Sequence, residues 1–270
     1  MRQRFHNLVI KFLRCGRSAD DSERIPPAGT FPAAKAYQAA LHTLFSCKDR
    51  VKVVVIGAND GKINDPFYEN ARRWRDRTEL LLIEPQSEVV PFLAENFCFH
   101  PKTKIHQGAV GEAGEMNLFR VQPQFWGVFK ETIGTSWPEY RAPTGSTSAD
   151  RQHVLDWIER IAPPLDGHPE DWIEQFSVRS APLVTIVAEK TDWLAPDVIQ
   201  IDAEGEDDRV IRHCNLEKFR VPLVYFELQH LEPVRRDRLG HYLQSLGYQI
   251  FEDGGNGLAI GSGESTAFES

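Results

Sequence analysis

The sequence predicts an α/β fold in which helices cover both faces of a mostly parallel sheet. The first indication is Val51–Ile56, an apolar and β-branched run without polar alternation, which favours a strand buried on both faces. The second is that similar short apolar runs alternate with helix-prone segments along most of the chain. The third is that several of these runs end abruptly in glycines or acids. Repeated βα units of this kind build parallel sheets.

The bulk composition is that of a globular protein. The chain has 270 residues, of which 41% are apolar and 26% charged, enough for one large α/β domain. Its formal net charge of −8 argues against a nucleic-acid partner, which needs clustered positive charge. The four cysteines lie far apart and form no CxxC pair, so we expect a reducing, cytoplasmic location. No apolar run approaches the ~20 residues of a transmembrane helix.

Residues 1–32 are expected to form an N-terminal extension and linker, because a basic, partly apolar start is followed by an acidic, proline-containing stretch. A membrane-surface role for this start stays open. The predicted catalytic domain spans residues 33–270 and opens with an alanine-rich helix over 33–45. An insertion at about 122–182 interrupts the alternation. Its aromatic residues could cover a substrate or pack the insertion onto the domain: Trp126, Phe129, Trp137, Tyr140, Trp157 and Trp172.

Before the insertion, the pattern predicts helices at 66–74 and 87–96 and strands at 80–83, 104–108 and 115–121. After it, strands are expected at 197–201 and 223–226, each followed by a helix, at 206–214 and 233–246. Two last strands, 248–251 and 258–260, are separated by a short glycine-rich turn. Such a turn predicts an antiparallel hairpin, so the last strand should run against the others.

The turn after the first strand is the first candidate binding site, and it consists of Gly57, Ala58, Asn59, Asp60 and Gly61. Glycine tolerates a positive φ and lets the backbone approach a ligand closely. The carboxyl end of a buried parallel strand is also where α/β sheets bind nucleotide-like cofactors. Backbone N–H groups near the following helix start could then face an anionic group. The alternative is a tight turn that binds nothing, and the missing third glycine argues against NAD.

Glu84 and Pro85 follow the second predicted strand at the same edge of the sheet. A carboxylate in this position can accept hydrogen bonds from both hydroxyls of a ribose. A solvated acid at a strand end is the plainer alternative. Together with the glycine turn, Glu84 favours the ribose interpretation.

Acids also follow the strand at 197–201. Glu206, Asp207 and Asp208 fall in a first helical turn, where the helix dipole is a sufficient reason for negative charge. Asp202 and Glu204 come earlier, at the expected crevice. With Glu227 they could bind a hard cation such as Mg²⁺, although a metal site is not favoured.

His230 follows the next strand and is a candidate general base, since the pKa of histidine lies near neutrality. Asp202 and Glu204 are the other candidates for this role. The sequence does not choose among the three.

The order of these motifs resembles the FkbM-like family of class I S-adenosylmethionine-dependent methyltransferases. The resemblance covers residues 51–260, and the block beginning Asp202-Ala203-Glu204-Gly205-Glu206 is its most distinctive part. It implies a Rossmann-like, seven-stranded sheet whose last strand is antiparallel. It also implies that the glycine turn wraps the methionine and ribose of the cofactor, with Glu84 on the ribose and Gly108 and Ala109 against the adenine.

One position departs from the family pattern. Val55 stands where many class I enzymes carry an acid that contacts the methionine amine through water. Asp202 is expected to take over part of that contact.

The resemblance implies O-methylation of a hydroxyl on a sugar or natural product, with a small-molecule or glycan acceptor. Two alternatives stay open: an O-methyltransferase assisted by Mg²⁺, and a methyltransferase-like domain that binds a partner without catalysis. The identity of the acceptor and the oligomeric state are not readable from the sequence.

Overall fold

The computed structural model describes residues 32–261, so the extension predicted for residues 1–32 lies almost wholly outside the described residues. The strands of the described part are β1 Val51–Ile56, β2 Thr78–Glu84, β3 Thr103–Gln107, β4 Ala109–Val110, β5 Gly114–Val121, β6 Ile173–Ala181, β7 Val198–Ile201, β8 Leu223–Glu227, β9 Tyr248–Glu252 and β10 Asn256–Gly261. Its α-helices are α1 Ala33–Cys47, α2 Tyr68–Arg73, α3 Val90–Asn96, α4 Trp126–Ile133, α5 Arg141–Thr144, α6 Arg151–Ile161, α7 Leu183–Lys190, α8 Asp207–His213, α9 Leu216–Phe219 and α10 Pro233–Ser245.

The main sheet has seven strands in the order β3-β2-β1-β7-β8-β10-β9. The pairs from β3 through β8 are parallel, while β10 runs antiparallel to both β8 and β9. This confirms the predicted fold class and the terminal hairpin. The chain leaves β1 toward β2 on one side and returns through β7 on the other. Such a reversal opens a crevice at the carboxyl ends of the two strands, where α/β sheets bind ligands.

Alternating side chains of the strands build a separate apolar core on each face of the sheet. Val54 and Ile56 pack with helices α7, α8 and α10, whereas Val53 and Val55 pack with α1. In the second core, Tyr37 of α1 stacks on Tyr225 of β8 with ring centroids 4.4 Å apart. Because both faces are covered, the central strands consist of continuous apolar runs. Within residues 32–261, no helix is long and apolar enough to cross a membrane.

The segment predicted as an insertion contributes to a second, three-stranded sheet in the order β4-β6-β5. Strand β5, expected as an additional strand, belongs to this sheet and pairs antiparallel with β6. The sequence did not predict β6 or α7. Alternate residues of β6 face solvent, so this strand lacks the continuous apolar run of the central strands. Four of the insertion's aromatic residues form its own small core: Trp126, Phe129, Tyr140 and Trp172.

Candidate functional site

A cavity of about 1290 Å³ lies at the carboxyl ends of β1, β2, β7 and β8. It is larger than the ~300–1,000 Å³ typical of a site for one small ligand, so it has room for two molecules. Most of the residues predicted from the sequence line it: Gly57, Ala58, Asn59, Glu84, Pro85, Gly108, Ala109, Asp202, Glu204 and His230. Trp137 and Trp157 of the insertion line it as well.

Gly57 is the closest point between the β1 turn and the β7 turn. Its φ is +73°, and a Cβ built on it would lie 1.8 Å from the backbone oxygen of Asp202. The backbone N–H of Asp202 donates to the oxygen of Ile56 over 3.0 Å. Only glycine allows this approach, because both the left-handed conformation and the missing side chain are needed.

Asp60 and Gly61 are not among the residues that line the cavity. Asp60 is 1% exposed and accepts hydrogen bonds from the backbone N–H groups of Lys62 and Ile63, each over 3.0 Å. A Cβ at Gly61 would collide with Phe97, so this glycine serves packing. Both residues stabilise the turn without lining the cavity.

The turn also lacks the helix start that was expected to face an anion. Helix α2 begins only at Tyr68, seven residues after Gly61. The N–H groups at its start are therefore not part of the turn. A site for a pyrophosphate needs such a helix terminus, so this arrangement does not favour a dinucleotide.

Glu84 is held at the end of β2 by the two neighbouring turns. Its Oε2 accepts from the backbone N–H of Asn59 over 2.8 Å, and its Oε1 accepts from both nitrogens of Gln86 over 2.9 and 3.1 Å. The side chain is 2% exposed, and burial outweighs these hydrogen bonds, raising the pKa of Glu84 to about 7. Since each carboxylate oxygen can accept about two hydrogen bonds, Oε2 retains an open acceptor site.

Helix α5 and the loop after it cover this part of the cavity. Asn59 Nδ2 donates to Thr144 Oγ1 and Gln86 Nε2 donates to the Thr144 oxygen, each over 3.1 Å. Thr147 Oγ1 donates to Gln86 Oε1 over 3.0 Å. The sequence gave no signal for Gln86, Thr144 or Thr147, because their contacts depend on how the insertion packs onto the sheet.

Acidic side chains concentrate where β7 and β8 end. Burial and the neighbouring Asp202 carboxyl raise the pKa of Glu204 well above its usual range, and burial together with Asp202, Glu204 and Asp207 raises the pKa of Glu227 to about 9. The Asp202 side chain reaches the open cavity, but protein surrounds it closely. Its pKa is therefore raised by desolvation, against which the charge of Arg141 acts.

The strand-end acids differ in what holds them. Asp207 is fully buried and links two turns, accepting from the backbone N–H groups of Ala203 over 3.2 Å and Glu227 over 3.0 Å. The helix dipole was the predicted reason for an acid at Asp207, and the structure shows that this side chain also joins two turns. Glu204 has a φ of +47°, a conformation that costs a residue with a Cβ about 1–2 kcal/mol. Such strain concentrates at functional sites.

Two histidines face Glu204. His230 Nε2 lies 3.6 Å from Glu204 Oε2 and 3.7 Å from Glu227 Oε2, and His153 Nε2 lies 3.4 Å from Glu204 Oε2. Burial lowers the pKa of His153, and burial together with the neighbouring His153 lowers the pKa of His230 to about 4. His153 belongs to α6 in the insertion. It was missed because nothing in the sequence relates that helix to β7.

A scan against protein-family models gives no match, and a search of curated proteins gives none either. Among solved structures, the chain is similar to precorrin-6y C5,15-methyltransferase from Geobacter metallireducens, with 11% identity, coverage of 92% of this chain and 97% of that chain, and a TM-score of 0.41. It is also similar to an O-methyltransferase from Streptomyces achromogenes involved in tomaymycin synthesis, with 11% identity, 96% and 90% coverage and a TM-score of 0.40. A third similar structure is fibrillarin from Aeropyrum pernix, with 11% identity, 89% and 85% coverage and a TM-score of 0.37. Similarities this low carry no argument about function.

Proposed function

We propose that this protein is an S-adenosylmethionine-dependent methyltransferase that acts on a hydroxyl of a sugar or natural product. The observation that carries the proposal is Glu84, a buried carboxylate with an open acceptor site beside the Gly57 turn. A ribose can donate to such a carboxylate. The absence of a helix start at the turn favours a cofactor without a pyrophosphate over NAD.

The remaining cavity residues suit the other parts of that cofactor. The turn at Gly57, Ala58 and Asn59 would lie along its methionine and ribose, and Gly108 and Ala109 along its adenine. Val55 is buried in the core and does not line the cavity. Asp202 is the acid available for the positive amine and sulfonium groups.

In the proposed transfer, the carbon–sulfur bond of the cofactor breaks with its electron pair left on sulfur, while the acceptor oxygen bonds the methyl carbon and loses its proton to a base. Asp202 is the base that we favour, because it reaches the cavity and its raised pKa brings it nearer to neutrality. Glu204 is less suited, since burial and the neighbouring Asp202 carboxyl raise its pKa well above the usual range and two histidines already face it. His230 is only a weak base, since its pKa lies at about 4.

Calorimetry with S-adenosylmethionine tests the proposal directly, with NADH as the comparison. Binding of the former and not the latter is the expected result. No heat at millimolar S-adenosylmethionine would overturn the proposal. A labelled-methyl assay on extracts of the source cell, with products identified by mass spectrometry, then separates an enzyme from a domain that binds the cofactor without turnover.

Glu84→Gln is expected to weaken cofactor binding at least tenfold. Hydrogen bonds to charged groups contribute about 1.5–3 kcal/mol, and about 1.4 kcal/mol corresponds to tenfold in affinity. Because the pKa of Glu84 is about 7, the affinity of the wild-type protein should rise as pH increases through about 7, and the variant should lose much of this dependence. Calorimetry at several pH values measures both effects.

Glu79→Gln is the matched control, because Glu79 lies on the same strand and does not line the cavity. It pairs with Arg50 and Lys102 at the far end. Cofactor affinity should be unchanged in this variant. Equal affinities in the Glu84→Gln and wild-type proteins would show that Glu84 does not hold the ribose.

Asp202→Asn is expected to lower turnover by about 10²–10⁴-fold, the usual contribution of a positioned base. The free energy of unfolding should not fall, since the neutral amide removes one charge from a cluster of acids. Asp192→Asn, which changes an exposed acid outside the cavity, is the control. Steady-state kinetics and urea unfolding measure the two quantities, and a fully active Asp202→Asn variant would exclude Asp202 as the base.

A further inference from the structure

Three side chains from separate parts of the chain meet where β7 and β8 end. His153 comes from α6, Glu204 follows β7, and His230 follows β8. Each offers one ligand atom, and these atoms all lie within 4.8 Å of one another. Within residues 32–261, these are the histidine and acidic side chains whose arrangement could hold a metal ion.

The spacing of these atoms fits a small divalent ion. Ligands about 2.1 Å from a tetrahedral ion lie about 3.4 Å from each other. The observed separations from Glu204 Oε2 are 3.4 Å to His153 Nε2 and 3.6 Å to His230 Nε2. Two of the three separations therefore match those around a small ion, and the two histidine ligand atoms lie within 4.8 Å of each other. The amide nitrogen of Gln229 lies 2.8 Å from His230 Nε2, and this exposed side chain would rotate away.

The second observation is that two polar atoms of this cluster have no hydrogen-bond partner although they are buried. These atoms are His153 Nε2 and Glu227 Oε2. A buried polar atom without a partner is costly, and in native proteins it calls for an explanation such as an ion or a water molecule. Glu227 Oε2 lies 3.7 Å from His230 Nε2, so both atoms border the same point.

The charge of the surroundings points the same way. Asp202, Glu204, Asp207 and Glu227 lie close together here, and Arg141 and Arg160 are the basic groups that act on Glu204. Such a concentration of acids favours a cation. In the purely structural alternative the two histidines only pack beside Glu204, and His153 Nε2 then makes no hydrogen bond although it lies 3.4 Å from Glu204 Oε2.

We propose that His153, Glu204 and His230 bind one divalent transition-metal ion of the zinc type, with Glu227 beside it. Two imidazoles and one carboxylate suit zinc, iron or nickel better than Mg²⁺, which prefers oxygen ligands. This set differs from the trio of acids considered on sequence grounds, because only the packing of α6 brings His153 to Glu204.

The position of the ion suggests a role in the proposed methyl transfer. An ion here could bind the acceptor hydroxyl and lower its pKa, and the hydroxyl proton would leave to Asp202. That role rests on the proposed function. The binding of the metal does not, since it follows from the three ligands alone.

The test uses untagged, full-length protein freed of metal by a chelator. Calorimetry should show one Zn²⁺ bound per chain and no comparable binding of Mg²⁺. His153→Gln and His230→Gln should each weaken zinc binding by more than about 100-fold, since losing even an outer partner of a ligand costs about 10–100-fold. His213→Gln is the matched control, because His213 lines the same cavity but lies outside the cluster.

A second measurement needs no variant. Co²⁺ added to the wild-type protein should give the visible absorption of a tetrahedral site, and Zn²⁺ should abolish it. No zinc binding at micromolar concentrations, or unchanged binding in a folded His153→Gln/His230→Gln protein, would overturn the proposal. S-adenosylmethionine binding to the metal-free protein is measured separately, so failure of this proposal is distinguishable from failure of the proposed function.

Discussion

Gly57→Ala is expected to destabilise the protein by about 2–5 kcal/mol and to abolish cofactor binding. The left-handed φ of +73° costs a residue with a Cβ about 1–2 kcal/mol. The new Cβ would in addition lie 1.8 Å from the backbone oxygen of Asp202, and forced shifts of this kind cost about 1–3 kcal/mol. Relief requires the β1 and β7 turns to separate, which displaces both Asn59 and Asp202. Urea unfolding and calorimetry with S-adenosylmethionine measure the two effects.

Gly134→Ala isolates the contribution of the clash. Gly134 has a φ of +70° and nothing within 4 Å of a built Cβ, so alanine there incurs only the conformational cost. Its variant should lose about 1–2 kcal/mol of stability and retain full cofactor affinity. Equal losses of stability at the two glycines would mean that the Gly57 turn has room for a side chain.

The free energy of unfolding is expected to fall as pH rises from about 7 to 8.5. The pKa of Glu227 is about 9 in the folded protein, well above its ordinary value, so the folded state holds a proton that the unfolded state has lost. Stability falls with pH wherever the folded state binds more protons. Glu204 and Asp207, whose pKa values are also raised well above the usual range, act in the same direction.

The histidines determine the pH range in which this decline in stability is expected. Because burial lowers the pKa values of His100 and His230 to about 4, their contribution to stability rises with pH between about 4 and 6.5 and opposes that of the acids. Above about pH 7 these histidines are neutral in both states and no longer oppose the acids. Urea unfolding of metal-free protein at pH 7, 7.75 and 8.5 should therefore show a steady decline.

Glu227→Gln should flatten this decline and make the protein more stable at pH 8.5. Each unit by which folding raises the pKa of Glu227 corresponds to about 1.4 kcal/mol of stability that is lost at high pH. Glu252→Gln serves as the control, because Glu252 is an exposed acid at the end of β9, the edge strand of the same sheet. An identical pH slope in wild-type and Glu227→Gln proteins would show that Glu227 ionises normally in the fold.

The central strands could be predicted closely because their pattern is local. Val51–Ile56 was expected with the bounds that the structure shows, and Leu223–Glu227 within one residue. Such strands are covered on both faces, so every position favours an apolar residue. Strand β6 at Ile173–Ala181 escaped prediction for the opposite reason, since exposed residues interrupt its buried ones and it pairs with β5 outside the main sheet.

The candidate site likewise contains some residues that the sequence could predict and others that only the structure could reveal. Glu84, Asp202 and Glu227 stand directly at strand ends, and parallel strands bring their carboxyl ends to one edge of a sheet. The sequence could not show that Asp60 turns away from the cavity, because that depends on Tyr140 and the backbone N–H groups around it. Nor could it relate His153 to Glu204, which lies 51 positions away in another element.

The sequence by itself determined the strands of the main sheet, the glycine turn after β1 and the acids at one edge of the sheet, because hydrophobic periodicity and turn chemistry act between near neighbours. Tertiary structure alone decided which of those residues meet. The docking of residues 126–161 placed Thr144 over the Asn59 turn and His153 beside Glu204 and His230. Such contacts form between side chains far apart in the chain, so they depend on packing and charge in the folded protein and leave no periodic signal.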